Sequence, residues 1–159
     1  MPDDLYDRDA LAWSERQASL LRRLAAGELV NADVDWPNVS EEIETVGRSE
    51  LTACENLLVQ ALAHLLKLRA WPQAQSVPHW RGETVAFLSR AHRFFAPSMR
   101  QRIDLAGLYA DALRQVRAEA GVELGAALPP ACPYGLDDLL DPEADIATLV
   151  HALAGGPHG

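Results

Sequence analysis

The sequence predicts an all-α protein, an up-down bundle of four long helices with a short C-terminal helical tail. Three observations carry this: apolar residues recur at three- and four-residue spacing through most of the 159 positions, Pro-containing turns separate those runs, and no segment alternates with the two-residue period of a strand. With 48% hydrophobic residues the chain can bury a core without staples. A single domain over 1–159 is expected, with the bundle in 5–142 and an extension in 143–159.

Tyr6, Ala10, Trp13, Gln17, Leu20, Leu21 and Leu24 share one side of a first helix that ends near Gly27. Asp35-Trp36-Pro37-Asn38 reads as a turn that lays Trp36 against the bundle. Asn38 with Glu41 forms a capping pair, so the second helix starts near residue 39 and runs to Trp71-Pro72, a rod of roughly 45 Å. Its apolar side holds Ile43, Val46, Leu51, Cys54, Leu57, Leu58, Ala61, Leu62, Leu65 and Leu68. Beyond a polar loop bracketed by Pro72 and Pro78, Trp80, Thr84, Phe87, Leu88, Ala91, Phe94 and Phe95 mark a third helix. Ser98 with Gln101 resembles a capping box for a fourth, whose inner side carries Leu105, Tyr109, Ala112, Leu113, Val116 and Ala120 and which ends near Gly121. The Pro129–Pro133 segment must be extended, and Leu136 to Leu140 forms one helical turn. Asp141-Pro142 is an N-cap and first-position pair for a last short helix, whose stripe of Ile146, Leu149, Val150 and Leu153 has no assigned partner.

Fourteen basic and 23 acidic residues give a net charge of −9, unevenly spread. Residues 1–66 hold 5 basic and 13 acidic groups, 67–102 hold 7 and 1, and 103–159 hold 2 and 9. The overall sign argues against non-specific nucleic-acid binding, although the central window keeps a local version of it alive. The acidic start, Met1-Pro2-Asp3-Asp4, lacks the apolar run of a signal peptide, and the most apolar stretch, Leu57 to Leu68, is too short to span a bilayer. A cytoplasmic protein without membrane contact is expected. Cys54 and Cys132 are too few for a disulfide framework or a zinc site and are read as reduced thiols.

Several motifs occur in a fixed order: Asn38-Val39-Ser40-Glu41-Glu42-Ile43-Glu44, Val46-Gly47-Arg48-Ser49-Glu50, His64-Leu65-Leu66-Lys67, Trp80-Arg81 and Cys132-Pro133-Tyr134. In these the chain resembles, over about residues 5 to 142, the bacterial domain-of-unknown-function family twenty-nine, common in cyanobacteria and proteobacteria. The resemblance implies a helical domain and assigns no activity, substrate or catalytic residue.

At 100° per residue, Glu50 falls inside the apolar stripe of the second helix, and a buried carboxylate needs a partner. Counting helix levels from the turns brings it beside Gln17 and Arg102, so a buried polar layer of Gln17, Glu50 and Arg102 is expected, with Arg93 as a further member. Its plain reading is a register-fixing salt bridge; its sharper one is an acid–base group tuned by burial. Glu41, Glu42, Glu44 and Glu55 invite a bundle metal site, but Ala61, Ser76, Ser89 and Thr148 stand three before His64, His79, His92 and His151, so the Glu-x-x-His spacing is missing. Neither a metal nor a cofactor is expected, and no nucleophile elbow or phosphate loop occurs. His64, at the edge of the apolar side, reads as a hydrogen-bonded core histidine. Trp80, Arg81, Arg90 and His64 form the candidate ligand face, where cations interleave with aromatics as in a phosphate-binding surface.

The functional expectation is a non-catalytic protein-interaction or regulatory module that binds a partner chain or associates with itself. Ile146, Leu149, Val150 and Leu153, with Leu29 and Trp36, supply its contact surface. Nucleic-acid or phosphate-ligand binding through residues 67–102 is the runner-up, and an enzyme using Glu50 is third.

Overall fold

The computed structural model describes residues 4–121 and 127–155. Among them are seven α-helices, α1 (Leu5–Arg8), α2 (Ala10–Ala25), α3 (Trp36–Ala70), α4 (Val77–Phe94), α5 (Leu105–Ala120), α6 (Leu136–Leu140) and α7 (Ile146–Ala152), and no strand. The fold is all-α; four of the helices are long, but three short ones accompany them. Chain contacts divide the molecule into two compact units, Met1–Ser49 and Glu50–Gly159. The first and last residues of the chain, and with them the very end of the 143–159 extension, lie outside the described residues.

In the N-terminal unit the expected first helix is two. The backbone breaks at Asp9, whose carboxylate accepts from the Ala12 N–H at 3.0 Å and so caps α2. At the other end Gly27 takes φ 91°, which lets the Glu28 N–H reach Arg23 O and the Gly27 N–H reach Leu24 O, a Schellman closure. Trp13, Leu20, Val30, Val34 and Val39 form the core of this unit.

The start of α3 differs from the sequence expectation. It begins at Trp36, not near 39, because Asp35 rather than Asn38 precedes and caps it: its backbone O accepts from the Val39 N–H at 2.9 Å and its carboxylate from the Asn38 backbone N–H. Pro37 fits the first turn, where no N–H is needed. Asp35 Oδ2 accepts from the Trp13 indole N–H at 3.0 Å and the Asn38 amide at 2.8 Å, while its own N–H donates to Gln17 Oε1 at 2.9 Å. Trp36, expected against the bundle, is 41% exposed, its indole N–H bonded to Asn31 O and its backbone N–H to Val34 O.

The C-terminal unit is built on the second half of α3. Cys54, Leu58, Ala61, Leu62, Leu65 and Leu66 are fully buried there, against Leu88 and Ala91 of α4 and Tyr109, Ala112, Leu113 and Val116 of α5. The Ser98 capping box does not form: Pro97–Met99 is a 3-10 turn, and α5 opens at Leu105 because Asp104 accepts from the Gly107 N–H at 3.1 Å. Likewise α7 is capped by Asp145, which accepts from the Thr148 N–H, and not by Asp141, whose carboxylate instead accepts from Glu143 in the turn after α6.

Two tyrosine hydroxyls anchor the end of the chain. Tyr109 donates to Pro129 O at 2.7 Å and Tyr134 to Leu149 O at 2.6 Å, and burial pushes the Tyr109 phenol up to about 12 and that of Tyr134 higher still. His92 Nδ1 donates to Leu140 O at 2.9 Å, tying α6 to α4. The stripe on α7 is therefore not the free tail expected of it: Leu149 and Leu153 are buried in this core, with Ile146 and Val150 packed on it. A short helix cannot keep four apolar residues in water when a complementary groove is within reach.

Candidate functional site

The predicted polar layer does not form. Gln17 is buried in the N-terminal unit, where the Asp35 N–H satisfies it. Glu50, Arg93 and Arg102, in the C-terminal unit, are all exposed. The stripe of α3 is covered in this unit only from about Leu51 onward, so Glu50 stays in water and avoids the desolvation cost of a buried charge. Arg102 misses the inner face because α5 begins three residues later than it. An acid–base role for a buried Glu50 loses its premise.

The four residues of the predicted ligand face separate into different environments. The Gln60 carbonyl can only accept, so it fixes a proton on His64 Nδ1 at 2.9 Å, and Nε2 faces Glu83 Oε2 across 2.6 Å. His79 Nε2 lies 3.4 Å from the second oxygen of Glu83. With Phe87 edge-on to its ring at 5.3 Å, His64 has both nitrogens engaged and no free lone pair for a ligand. Trp80 is half-buried and tilted against Trp71, with Lys67 Nζ 5.8 Å from its ring and 2.6 Å from Glu119. Its face is thus taken by a protein cation rather than presented for stacking. Arg90 is exposed on α4, apart from these contacts. Among the other cations of the basic window, Arg100 pairs with Asp137 at 2.8 Å and lies over Phe95.

Arg81 lies elsewhere, with residues that sequence spacing did not single out. Among the described residues, several concavities adjoin α7, three of which bear on the site. One, of about 230 Å³, is lined by Val85, Leu88, Ser89, His92, Arg93, Asp141, Pro142, Ala144 and Ile146. A second, of about 390 Å³, carries Asp138, Asp141, Glu143 and Asp145 among its walls. These carboxylates are spent on local turns: Asp138 accepts from the Gly135 N–H, Asp141 from Glu143 and Asp145 from Thr148. The Thr148 N–H, with the Thr148 hydroxyl, the Ala147 N–H and the charge of Arg81, holds the Asp145 carboxyl below its ordinary value. The third, of about 290 Å³, is lined by Arg69, Arg81, Ala147, Val150, His151 and Ala154. Positions 69, 81 and 151 are too far apart in the chain for any local motif to join them; the packing of α3, α4 and α7 in one unit does so.

No three His, Cys, Asp or Glu side chains among the described residues are grouped as metal ligands. Both cysteines are free thiols, and burial pushes each up from its ordinary value. No helix among the described residues is long and apolar enough to cross a membrane.

The N-terminal unit offers a different surface. Ile43 and Val46, one turn apart on α3, are 68% and 65% exposed, and Leu11 and Leu29 of the same unit are exposed as well. Arg48 reaches back to Glu41 at 2.7 Å and Glu44 at 3.3 Å beside them.

A family model described as domain of unknown function DUF29 matches residues 5–144. The crystal structure of an α-helical protein of unknown function from Rhodospirillum rubrum is similar to this chain at 30% identity, with a TM-score of 0.72, covering 96% of this chain and 98% of that one. No curated protein matches the chain significantly.

Proposed function

The chain belongs to the DUF29 family, and from that premise we propose that it is an interaction module, acting by binding a protein partner rather than by catalysis. One observation carries the reading: Ile43 and Val46 stand in water at helical spacing. Burying such side chains releases about 1.5–3 kcal/mol each, which a docked partner recovers. The contact surface is thus moved from α7, whose stripe is internal, to the N-terminal unit, where Leu29 and Trp36 also lie exposed.

The occupant we adopt is a second copy of the chain. Residues 1–49 hold 5 basic and 11 acidic groups, and residues 67–102 of another copy, with 7 and 1, complement them in charge. Sedimentation velocity across a wide concentration range tests this. Concentration-dependent association that disappears in an Ile43→Lys/Val46→Lys variant of unchanged helicity supports it; a strictly monomeric chain at the highest concentration removes self-association.

Nucleic-acid binding by residues 67–102 is the weaker reading, since Lys67 and Arg100 are already paired and Trp80 is covered. Fluorescence titration with single-stranded and duplex oligonucleotides addresses it, and no binding near about 50 mM salt ends it.

A further inference from the structure

We infer that the concavity formed by Arg69, Arg81 and His151 is a binding site for a small oxyanion of the phosphate class. Three elements supply its donors: Arg69 in the last turn of α3, Arg81 near the start of α4, and His151 in the last turn of α7. Ala147, Val150 and Ala154 complete the wall and leave about 290 Å³. Two arginines from the basic window 67–102 and a histidine from α7 line it, and no carboxylate does.

Neither arginine in it has a carboxylate at ion-pair distance among the described residues, whereas Lys67, Arg48 and Arg100 each have one within 3.3 Å. Arg69 Nε is sealed from water without any hydrogen-bond partner. A half-buried guanidinium with an orphaned N–H and a cationic neighbour is costly unless an anion offsets it. Asp145 lies near enough to Arg81 for that charge to lower its carboxyl, but it makes no ion pair with Arg81, does not line the concavity and leaves Arg69 uncompensated.

The donor set selects the ligand class. Two guanidinium groups and an imidazole, supplied by three helices around one concavity, suit the several oxygens of a tetrahedral dianion better than the two of a carboxylate. No aromatic lines the concavity, so a stacked nucleobase has no platform there, which separates this site from a single-strand nucleic-acid groove. This site does not depend on the interaction surface of the N-terminal unit.

Isothermal titration of the full chain at pH 7 and low salt, with inorganic phosphate, glycerol phosphate and acetate as separate probes, tests the assignment. Saturable phosphate binding, weakened about tenfold or more by Arg81→Gln and also weakened by His151→Gln, is expected. Both are exposed side chains, so circular dichroism of the two variants should match the parent. Binding of the ester as well as the free ion places recognition on the phosphoryl group. Absence of saturation by about 10 mM phosphate, affinity for acetate equal to that for phosphate, or phosphate binding unmoved by both substitutions overturns the inference.

Discussion

Replacing Asp35 with Ala probes the join between sequence and fold in the N-terminal unit. The substitution removes the acceptor of the Trp13 indole N–H, 5% exposed, and of the Asn38 amide, together with the cap at the start of α3. Loss of a cap costs about 1 kcal/mol. Orphaning a buried indole N–H costs about 1–3 kcal/mol, and because the carboxylate is only partly buried the low end applies. A total near 2 kcal/mol is expected in urea unfolding followed by far-UV circular dichroism at pH 7. The sign with pH follows from the same contacts. The Asn38 amide first, then the Trp13 indole and the Asn38 N–H, hold the folded carboxyl below its ordinary 3.8, with burial opposing them. A depressed carboxyl contributes stability that is complete above the unfolded value and is lost as pH falls through the folded one. The gap between parent and Asp35→Ala should therefore be constant from about pH 5 to 7 and narrow below 3.8. A gap under about 0.5 kcal/mol at pH 7, the size of an ordinary surface substitution, would refute the argument. So would a gap that widens in acid.

Three further outcomes follow from burial. Glu50→Gln should change stability by less than about 0.5 kcal/mol, because the side chain is exposed; a loss above about 2 kcal/mol by thermal melting would restore the buried layer. Leu62→Ala, at a fully buried position in the C-terminal core, should cost about 2–5 kcal/mol by the same measurement, and a loss below 1 would place Leu62 outside the packed centre. In the folded protein a thiol reagent should modify half-buried Cys132 well before Cys54, which is sealed and whose Sγ approaches Ala91 O at 3.6 Å; equal rates would contradict the packing.

Helical periodicity was enough to read α2 to α6 and most of the C-terminal core, since spacing reports which side of a helix is apolar. It does not report where the cover stops. Leu58 and Ile43 belong to the same stripe of α3, yet one is fully buried and the other in water. Glu50 was misplaced for that reason. Helix starts failed for a related one: several Ser, Asn and Asp residues precede each periodic run, and the backbone settles which of them caps. Asp35 was chosen over Asn38, Asp104 over Ser98 and Asp145 over Asp141. The error at Ser98 propagated directly into the polar layer, because it put Arg102 on a helix that begins only at Leu105.

Gln17 shows what a stripe argument can and cannot see. A polar residue among Trp13 and Leu20 is buried, as its spacing requires, so it must find a partner. Helical spacing points to another side chain on a facing helix, Glu50. The partner is instead a backbone N–H, that of Asp35, only 18 residues away. The same Asp35 then accepts from Trp13, so one residue at the mouth of α3 satisfies two buried groups of α2. Arg69 is the opposite case. Its spacing near the end of α3 suggests a solvated cation at the negative end of a helix dipole, a role complete in itself. In the folded unit the guanidinium shares a concavity with Arg81 of α4 and His151 of α7, and its Nε is cut off from water. The basic window supplies the two arginines, but their meeting with His151 is a property of the folded corner and of no segment within it.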